Sequence, residues 1–264
     1  MARKALTVSI VIPVYNEEDY LPACLKSIRA QTVAPAQVIV VDNNSTDHTA
    51  RVARQHSFVT LLAERQQGRY FAQKTGFAAA TSDIIARLDG DTHLPTDWVE
   101  QISNYFAAHP NTAAVSGPGV FYDFPFKSVV GFLHQLIYFR LQSSVARTAI
   151  LWGSNMAIRR QVLDKVSLRV GEHVHEDIDL TLKLKRAGLR IGYLPAVRAQ
   201  MSMRHGKLGP IQTAKYLWGA PRDYFYNRYY ASGLVYGFCL LLVYVLLLPV
   251  MILHSVWTWI AAYL

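Results

Sequence analysis

The first hundred residues alternate between short runs of β-branched and aliphatic residues and longer amphipathic stretches. Continuous apolar runs are typical of parallel strands buried on both faces, and the stretches between them are long enough for crossover helices. The pattern predicts four strands, at Leu6–Val14, Gln37–Val41, Val59–Ala63 and Ile84–Asp89, and four helices, at Glu18–Gln31, His48–Gln55, Arg69–Ala80 and Thr96–Ala108. These elements form an α/β fold with a doubly wound, mostly parallel sheet. Such sheets bind ligands outside the carboxyl ends of their strands.

The next part of the chain is less regular. Its apolar pattern predicts two further strands and two further helices, with strands at Ala113–Tyr122 and Ala149–Ile158 and helices at Ser128–Ala146 and Asp177–Ala187. Because no internal repeat or low-complexity linker interrupts this stretch, we interpret residues 1–205 as one domain.

The composition changes after residue 205. Aromatic and basic residues mix over residues 206–232, which favours an amphipathic helix at a membrane interface, although a core helix would also fit. The last charged side chain is Arg228, counting His254 as neutral, and residues 233–264 exceed the roughly 20 apolar residues that span a bilayer. We predict one transmembrane span, while Pro249 leaves a hairpin open. Lys and Arg lie only before the span, which predicts that the preceding domain is cytoplasmic.

The formal net charge of +9 lies entirely before this apolar tail. A basic domain can attract nucleic acid, anionic lipid or a phosphorylated small molecule. No zinc-ligand spacing, aromatic RNA-binding signature or Lys/Arg cluster indicates nucleic acid, so we expect a membrane and a diphosphate-bearing ligand as partners. The two cysteines, Cys24 and Cys239, fall in different segments, which indicates a reducing compartment rather than a disulfide framework.

Three acidic motifs carry the candidate chemistry. Asp42 directly follows a predicted strand, where it could bond a nucleobase or ribose, or simply form a turn that caps the next helix. The segment Asp89–Asp91 places two carboxylates around a glycine, which suits Mg²⁺ or Mn²⁺, although short Asp-Gly-Asp sequences also form turns. Glu176 and Asp177 begin a predicted helix, where one of them could act as a general base or both could merely favour the helix dipole.

The order and spacing of four motifs are more specific than any of them alone. The motifs are Pro13–Glu17, Val41–Asp47, Asp89–Asp91 and Glu176–Leu180. Together they resemble the family 2 glycosyltransferases over residues 6–205. The resemblance implies a Rossmann-like domain of the GT-A fold. Gly153–Arg160 also resembles the acceptor-side segment of that family.

The resemblance implies a role for each matching residue. Four residues would line or bond the donor base: Pro13, Tyr15, Glu17 and Asp42. Asp89 would contact the ribose or the metal, and Asp91 would hold Mg²⁺ or Mn²⁺ against the diphosphate. Asp177 would be the general base, with Glu176 on the sugar or the acceptor.

Four basic residues match the family pattern less closely. Arg69 and Lys74 fall where a cation could meet the donor phosphate, or could belong to a solvated helix face. Arg204 and His205 follow the last predicted strand, where some relatives close a loop over the diphosphate, and His205 could be a third metal ligand.

The implied function is that of an inverting glycosyltransferase with a nucleotide-diphosphate sugar as donor, with UDP preferred. The acidic pair favours a hydroxyl of a lipid or glycan as acceptor, because a phosphate oxygen is already ionised and has little need of a base. A polyprenyl-phosphate acceptor is the alternative. A non-catalytic, membrane-tethered protein that binds nucleotide sugars would require a broken acidic set, and the set is complete. The Gln-x-x-Arg-Trp signature of processive synthases is absent, which predicts one transfer per encounter.

Overall fold

The structure is a computed structural model that describes residues 6–123, 127–163, 165–166, 175–203 and 210–245. Its centre is a seven-stranded sheet with the order β3-β2-β1-β4-β7-β5-β8, beside a small sheet of β6 and β9. The strands are β1 (Val8–Val14), β2 (Gln37–Asp42), β3 (Val59–Ala63), β4 (Ile84–Arg87), β5 (Thr112–Ser116), β6 (Gly119–Phe121), β7 (Met156–Arg159), β8 (Arg190–Tyr193) and β9 (Ala199–Met201).

The helices connect these strands and cover the sheet. Through the first half they are α1 (Leu21–Arg29), α2 (Thr49–Arg54), α3 (Arg69–Ala79) and α4 (Trp98–Ala108). A longer helical stretch runs through α5 (Lys127–His134), a π-helical segment (Gln135–Leu141) and α6 (Gln142–Ala146). The remaining helices are α7 (Arg160–Leu163), α8 (Glu176–Arg186), α9 (Pro210–Tyr226) and α10 (residues 230–245).

The prediction of a mostly parallel sheet is confirmed. Strands β1 to β4 pair in parallel, β5 pairs in parallel with β8, and β7 is antiparallel to both β4 and β5. Strand β1 lies between β2 and β4, with Val14 opposite Asp42 and Val11 opposite Arg87. The loops that follow these three strands therefore leave the sheet at the same edge, where the acidic motifs were expected to meet.

Two predicted strands differ from the structure. The single strand predicted at Ala113–Tyr122 is wrong, because the chain turns at Gly117 and Pro118 and forms β5 and β6 in two separate sheets. Proline has no amide hydrogen to donate to a ladder, which explains the break. The strand predicted at Ala149–Ile158 is also too long, since residues 153–155 form a 3₁₀ turn before β7 begins.

The C-terminal helices pack on the domain through one shared apolar cluster. Ile178 and Leu182 of α8 contact a group that includes Tyr224 of α9 and Tyr236 and Leu240 of α10. One face of the segment predicted as interfacial thus lies in a core, the alternative left open by its composition. Within residues 210–245 and the other described ranges, no helix combines the length and apolar character needed to cross a bilayer. Residues 246–264, most of the predicted span, lie outside the described residues.

Candidate active site

The loops after β1 and β2 are joined to each other by one asparagine. The backbone N–H of Asn16 donates to Ser45 Oγ (3.0 Å), and Asn16 Oδ1 accepts from the Thr46 N–H (2.8 Å). Asn16 has φ 55°, a left-handed conformation that asparagine tolerates better than most residues. This junction holds the two motifs expected to bind the donor base side by side, with Tyr15 exposed next to it.

Asp42 and Asn43 have different tasks at the end of β2. Asp42 is partly buried and its Oδ1 accepts from the Ser45 N–H at 3.2 Å. Asn43 is buried, donates to the carbonyls of Glu64 and Gln66, and accepts from the Gly68 N–H at 2.7 Å. It ties the loop ahead of α3 to the sheet edge, a role that the sequence pattern did not identify.

A buried arginine links two of the acidic motifs. Nη2 of Arg87 lies 2.7 Å from Asp89 Oδ1 and 3.2 Å from Glu176 Oε1, and its side chain is only 2% exposed. Asp89 and Glu176, which are far apart in sequence, therefore share one guanidinium. The sequence did signal this residue, because Arg87 is a lone charge at the end of an otherwise apolar strand, but the pattern alone gave it no role.

The 3₁₀ turn before β7 closes over this arginine. A Cβ atom at Gly153 would lie 1.5 Å from Arg87 Nη1, so only glycine allows the backbone to approach so closely. The Oγ of Ser154 donates a short hydrogen bond to Asp89 Oδ2. The segment expected on the acceptor side thus packs directly on the acidic centre.

Asp177 is the second residue of α8 and accepts three hydrogen bonds. Its Oδ2 lies 2.9 Å from the Gly153 N–H donor and 3.0 Å from the Tyr138 hydroxyl. Its Oδ1 accepts from the Ile178 N–H at 2.8 Å. Tyr138 stands on the π-helical segment, an irregularity often found at functional sites. It was not identified from the sequence.

The neighbouring carboxyl groups of Glu176 and Asp177 have pKa values shifted in opposite directions. Burial opposes ionisation of Glu176, but the charges of Arg69 and Arg87 outweigh it and lower its pKa. Burial, and then the charge of Glu176, raise the pKa of Asp177. A permanently ionised carboxylate beside one with a raised pKa is the arrangement expected of an electrostatic group next to a general base.

Asp91, Asp89 and Glu17 all act electrostatically on one buried thiol. Burial, followed by the charges of these three carboxylates, raises the pKa of Cys24. Asp91 is 4% exposed and Glu17 is 7% exposed. The described residues contain no group of three or more His, Cys, Asp or Glu side chains arranged around a metal. Two aspartates still suit Mg²⁺ or Mn²⁺ that completes its shell with substrate phosphates, since the bonded oxygens of Asp89 keep a second lone pair.

The other expected donor-site residues are more scattered. Tyr15 is 49% exposed at the edge of β1, next to the partly buried Pro13. Arg69 begins α3, and its Nη1 lies 3.5 Å from Glu176 Oε1, so its charge reaches the acidic centre. Lys74 is exposed on α3, where its charge acts on Glu64. Arg204 and His205 lie outside the described residues, and their roles stay predictions.

The sheet is mostly parallel, with carboxylates at the ends of β2 and β4 and a further acidic pair at the start of a helix. This arrangement defines a nucleotide-binding α/β domain of the GT-A type. Residues 9–167 match the family model for glycosyl transferase family 2. The chain belongs to this family.

Similar proteins agree on the class but vary in substrate. The chain is 37% identical over 120 residues to glycosyltransferase AglE of Haloferax volcanii, which covers 43% of this chain and 36% of the relative. It is 32% identical over 109 residues to an undecaprenyl-phosphate 4-deoxy-4-formamido-L-arabinose transferase of Pectobacterium carotovorum, which covers 38% of this chain and 33% of the relative. The chain thus spans about a third of the length of these relatives.

Two solved structures share the fold. The mannosyltransferase PcManGT of Pyrobaculum calidifontis, in complex with GDP-Man and Mn²⁺, has a TM-score of 0.63 at 21% identity and covers 99% of this chain and 85% of its own. S. aureus TarS 1-349, in complex with UDP-GlcNAc, has a TM-score of 0.62 at 16% identity and covers 83% of this chain and 66% of its own.

Proposed function

We propose that this chain transfers a sugar from a nucleotide-diphosphate sugar, with UDP preferred, to a hydroxyl of a membrane-associated lipid or saccharide, with inversion at the anomeric carbon. The observation that carries the proposal is the acidic centre, in which Arg87 joins Glu176 to Asp89. Asp177, beside Glu176, accepts from the Gly153 N–H and the Tyr138 hydroxyl. Membership of a glycosyltransferase family supports the class of reaction.

In the proposed mechanism Asp177 takes the proton of the acceptor hydroxyl. The acceptor oxygen attacks the anomeric carbon from the face opposite the diphosphate. The bond between that carbon and the diphosphate oxygen breaks, and its electron pair leaves with the diphosphate, so one displacement inverts the centre. The raised pKa of Asp177 makes it a stronger base than an exposed aspartate. The lowered pKa of Glu176 keeps it ionised, and in this mechanism Glu176 would orient the sugar or the acceptor.

The proposed cofactor is Mg²⁺ or Mn²⁺. When bound, such an ion supplies positive charge to the departing diphosphate. Asp91 and Asp89 would hold it, and Mn²⁺ is named with the fold neighbour from Pyrobaculum calidifontis. Pro13, Tyr15, Glu17 and Asp42 stay the proposed base-binding residues, because their strands end at one sheet edge.

We expect Asp91→Asn to raise the Mn²⁺ concentration needed for half-maximal transfer by at least about tenfold, because it removes one negative ligand. Metal-titrated initial rates measure the effect, and saturating Mn²⁺ should recover most of the activity. Asp97→Asn, in the loop before α4, is the matched control. Full activity of the wild type in excess chelator would refute the metal proposal.

A polyprenyl phosphate is the second candidate acceptor. One relative is an undecaprenyl-phosphate transferase by name, and the apolar C-terminal segment suits a lipid substrate. The raised pKa of Asp177 still favours a hydroxyl, because a phosphate oxygen needs no base. Transfer assays with a panel of UDP- and GDP-sugars against lipid hydroxyl and lipid phosphate acceptors separate the two. Failure to release nucleotide from any donor would contradict both.

We further propose that the C-terminal segment anchors the chain in a membrane, with the catalytic domain on the cytoplasmic side. One side of α10 supports this proposal, because its apolar side chains are at least half exposed. They are Leu234, Val235, Phe238, Leu241, Leu242 and Val245. Contiguous exposed apolar patches often mark membrane or protein interaction sites. The uncharged stretch that follows continues it.

We expect Phe238→Glu to reduce several-fold the fraction of the chain that stays in membranes after alkaline carbonate extraction, because a carboxylate is costly in the bilayer. Val33→Glu is the matched control, since Val33 is 44% exposed on the catalytic domain. Equal extraction of the wild type and both variants would count against anchoring through α10.

A further inference from the structure

A stripe formed by one side of α9 and the residue that follows its last turn faces the start of α8. Gly219, Asp223 and Asn227 follow one another at intervals of four residues, a spacing that places them on one side of a helix. A Cβ atom at Gly219 would lie 2.3 Å from His175 Cε1, so the glycine makes room for the His175 ring. Asn227 Nδ2 donates to Asp179 Oδ1 at 2.9 Å. Gly219 thus lies against the residue that precedes α8, whereas Asn227 contacts α8 only at Asp179.

Asp223 holds His175 at two points. Its Oδ2 accepts from the backbone N–H of His175 at 3.0 Å and lies 3.2 Å from the Nδ1 of the ring. When Asp223 is ionised, Nδ1 carries a proton and donates a hydrogen bond to the carboxylate. His175 is the N-cap residue of α8, and its carbonyl accepts from the Asp179 N–H at 2.9 Å. Asp223 therefore fixes the residue that immediately precedes Glu176 and Asp177.

Burying the Asp223 carboxylate costs free energy, which indicates a role beyond packing the two helices together. The side chain of Asp223 is 0% exposed, and a carboxylate at such a place loses its hydration. An apolar side chain would join two helices at no such cost. The buried carboxylate instead gives His175 a defined tautomer and orientation. Catalytic sites use the same device when a carboxylate orients the side chain next to the reacting group.

The pair also acts electrostatically on Asp177. Burial opposes protonation of His175, but its hydrogen bond to Asp223 and the charges of the nearby carboxylates outweigh burial and raise the pKa of His175. Burial raises the pKa of Asp223 to about 6. The charge of His175 lowers the pKa of Asp177 and so offsets part of the repulsion from Glu176.

The charged and titratable groups around Asp177 come from several elements. They are Glu176 and His175 on or beside α8, Arg87 on β4, Tyr138 on the π-helical segment and Asp223 on α9. Among these groups, Asp223 comes from α9, and it contacts His175, the residue that caps α8.

We propose that Asp223 is a positioning residue on α9, outside the sheet, which acts through His175 to orient and charge the start of α8. This inference rests on the proposed function, because it assigns Asp223 to the same general base.

Asp223→Asn keeps the volume of the side chain and removes its charge. We expect kcat to fall roughly 10- to 100-fold, because a displaced base loses its near-attack geometry, while KM for the nucleotide sugar stays near that of the wild type. His175 then loses its proton more readily, so Asp177 loses an attractive charge. The substitution also removes the repulsion between Asp223 and Asp177, but His175 is the larger influence on Asp177, so the pKa of Asp177 rises. Because Asp177 must be ionised to act, the acid limb of the kcat–pH profile should move to higher pH.

Asn227→Ala is the matched control on the same stripe. It removes a contact between α8 and α9 without touching His175. We expect a lower Tm with kcat and the acid limb unchanged. If Asp223→Asn and Asn227→Ala lowered kcat in parallel with Tm, Asp223 would be a structural residue only and the inference would be overturned.

His175→Gln supplies an independent test should Asp223→Asn fold poorly, because on its own it should lower kcat and move the acid limb to higher pH, and a normal kcat and pH profile would overturn the inference. Where Asp223→Asn folds, the double variant should be no slower than the slower single variant. Additive losses would overturn the inference. A wild type that transfers sugar while Asp223→Asn shows normal kcat and pH profile contradicts the inference alone. A wild type with no activity on any donor overturns the proposed function as well.

Discussion

Asp177→Asn is expected to lower kcat by about 10²–10⁴, the usual contribution of a general base, and to leave donor affinity nearly unchanged. The amide has the size of the carboxylate but cannot take a proton. It can still accept from the Gly153 N–H or from the Ile178 N–H, the two backbone donors that hold Asp177 now. The loss is therefore chemical, and thermal shift with the nucleotide should report normal binding.

The matched control is Asp179→Asn, two residues further along the same helix. Asp179 is buried and lies 2.6 Å from Lys183 Nζ, so its replacement should lower the Tm with little effect on kcat. The result also separates the acceptors. If Asp177→Asn kept near-normal turnover with a polyprenyl phosphate, the general-base role would be refuted and the phosphate acceptor favoured.

The sheet edge was predictable from the sequence because parallel strands bring their carboxyl ends together. The apolar runs located both ends of each strand from β1 to β4 within two residues. Register then places the segments after Val14, Asp42 and Arg87 on one side. Local pattern and topology were enough to expect a common site there.

The partners of the site were not predictable, because they depend on contacts across the whole chain. Arg87 was visible as a charge in an apolar strand, yet only tertiary structure shows that it lies between Asp89 and Glu176. Tyr138 contacts Asp177 from a π-helical segment, which the spacing of apolar residues does not predict. Likewise the contact between His175 and Asp223 spans 48 residues.

The aromatic and basic composition of residues 206–232 could not decide between a membrane interface and a core. Both environments accept an amphipathic helix with one apolar face. Tyr224 is buried against α8 and α10, whereas Trp218 is 56% exposed. The segment therefore has one face in the core and another on the surface, which composition alone cannot distinguish.

Arg87→Met is expected to destabilise the fold by about 3–5 kcal/mol, because it leaves two carboxylates without the cation buried between them. Methionine keeps most of the aliphatic length, so the loss is mainly that of charge. Equilibrium unfolding in urea measures it. Arg69→Met is the matched control, since the Arg69 side chain is 55% exposed and its 3.5 Å pair with Glu176 should contribute about 1 kcal/mol or less.

The sign of the pH dependence distinguishes this cause from a packing defect. The pKa of Glu176 is lowered in the folded chain, so its contribution to stability is present above its unfolded value, about 4.3, and is lost as the pH falls. The difference between the wild type and Arg87→Met should therefore shrink at acidic pH. An equal loss in both Met variants, or a difference independent of pH, would show that the charge of Arg87 does not hold the two acidic motifs together.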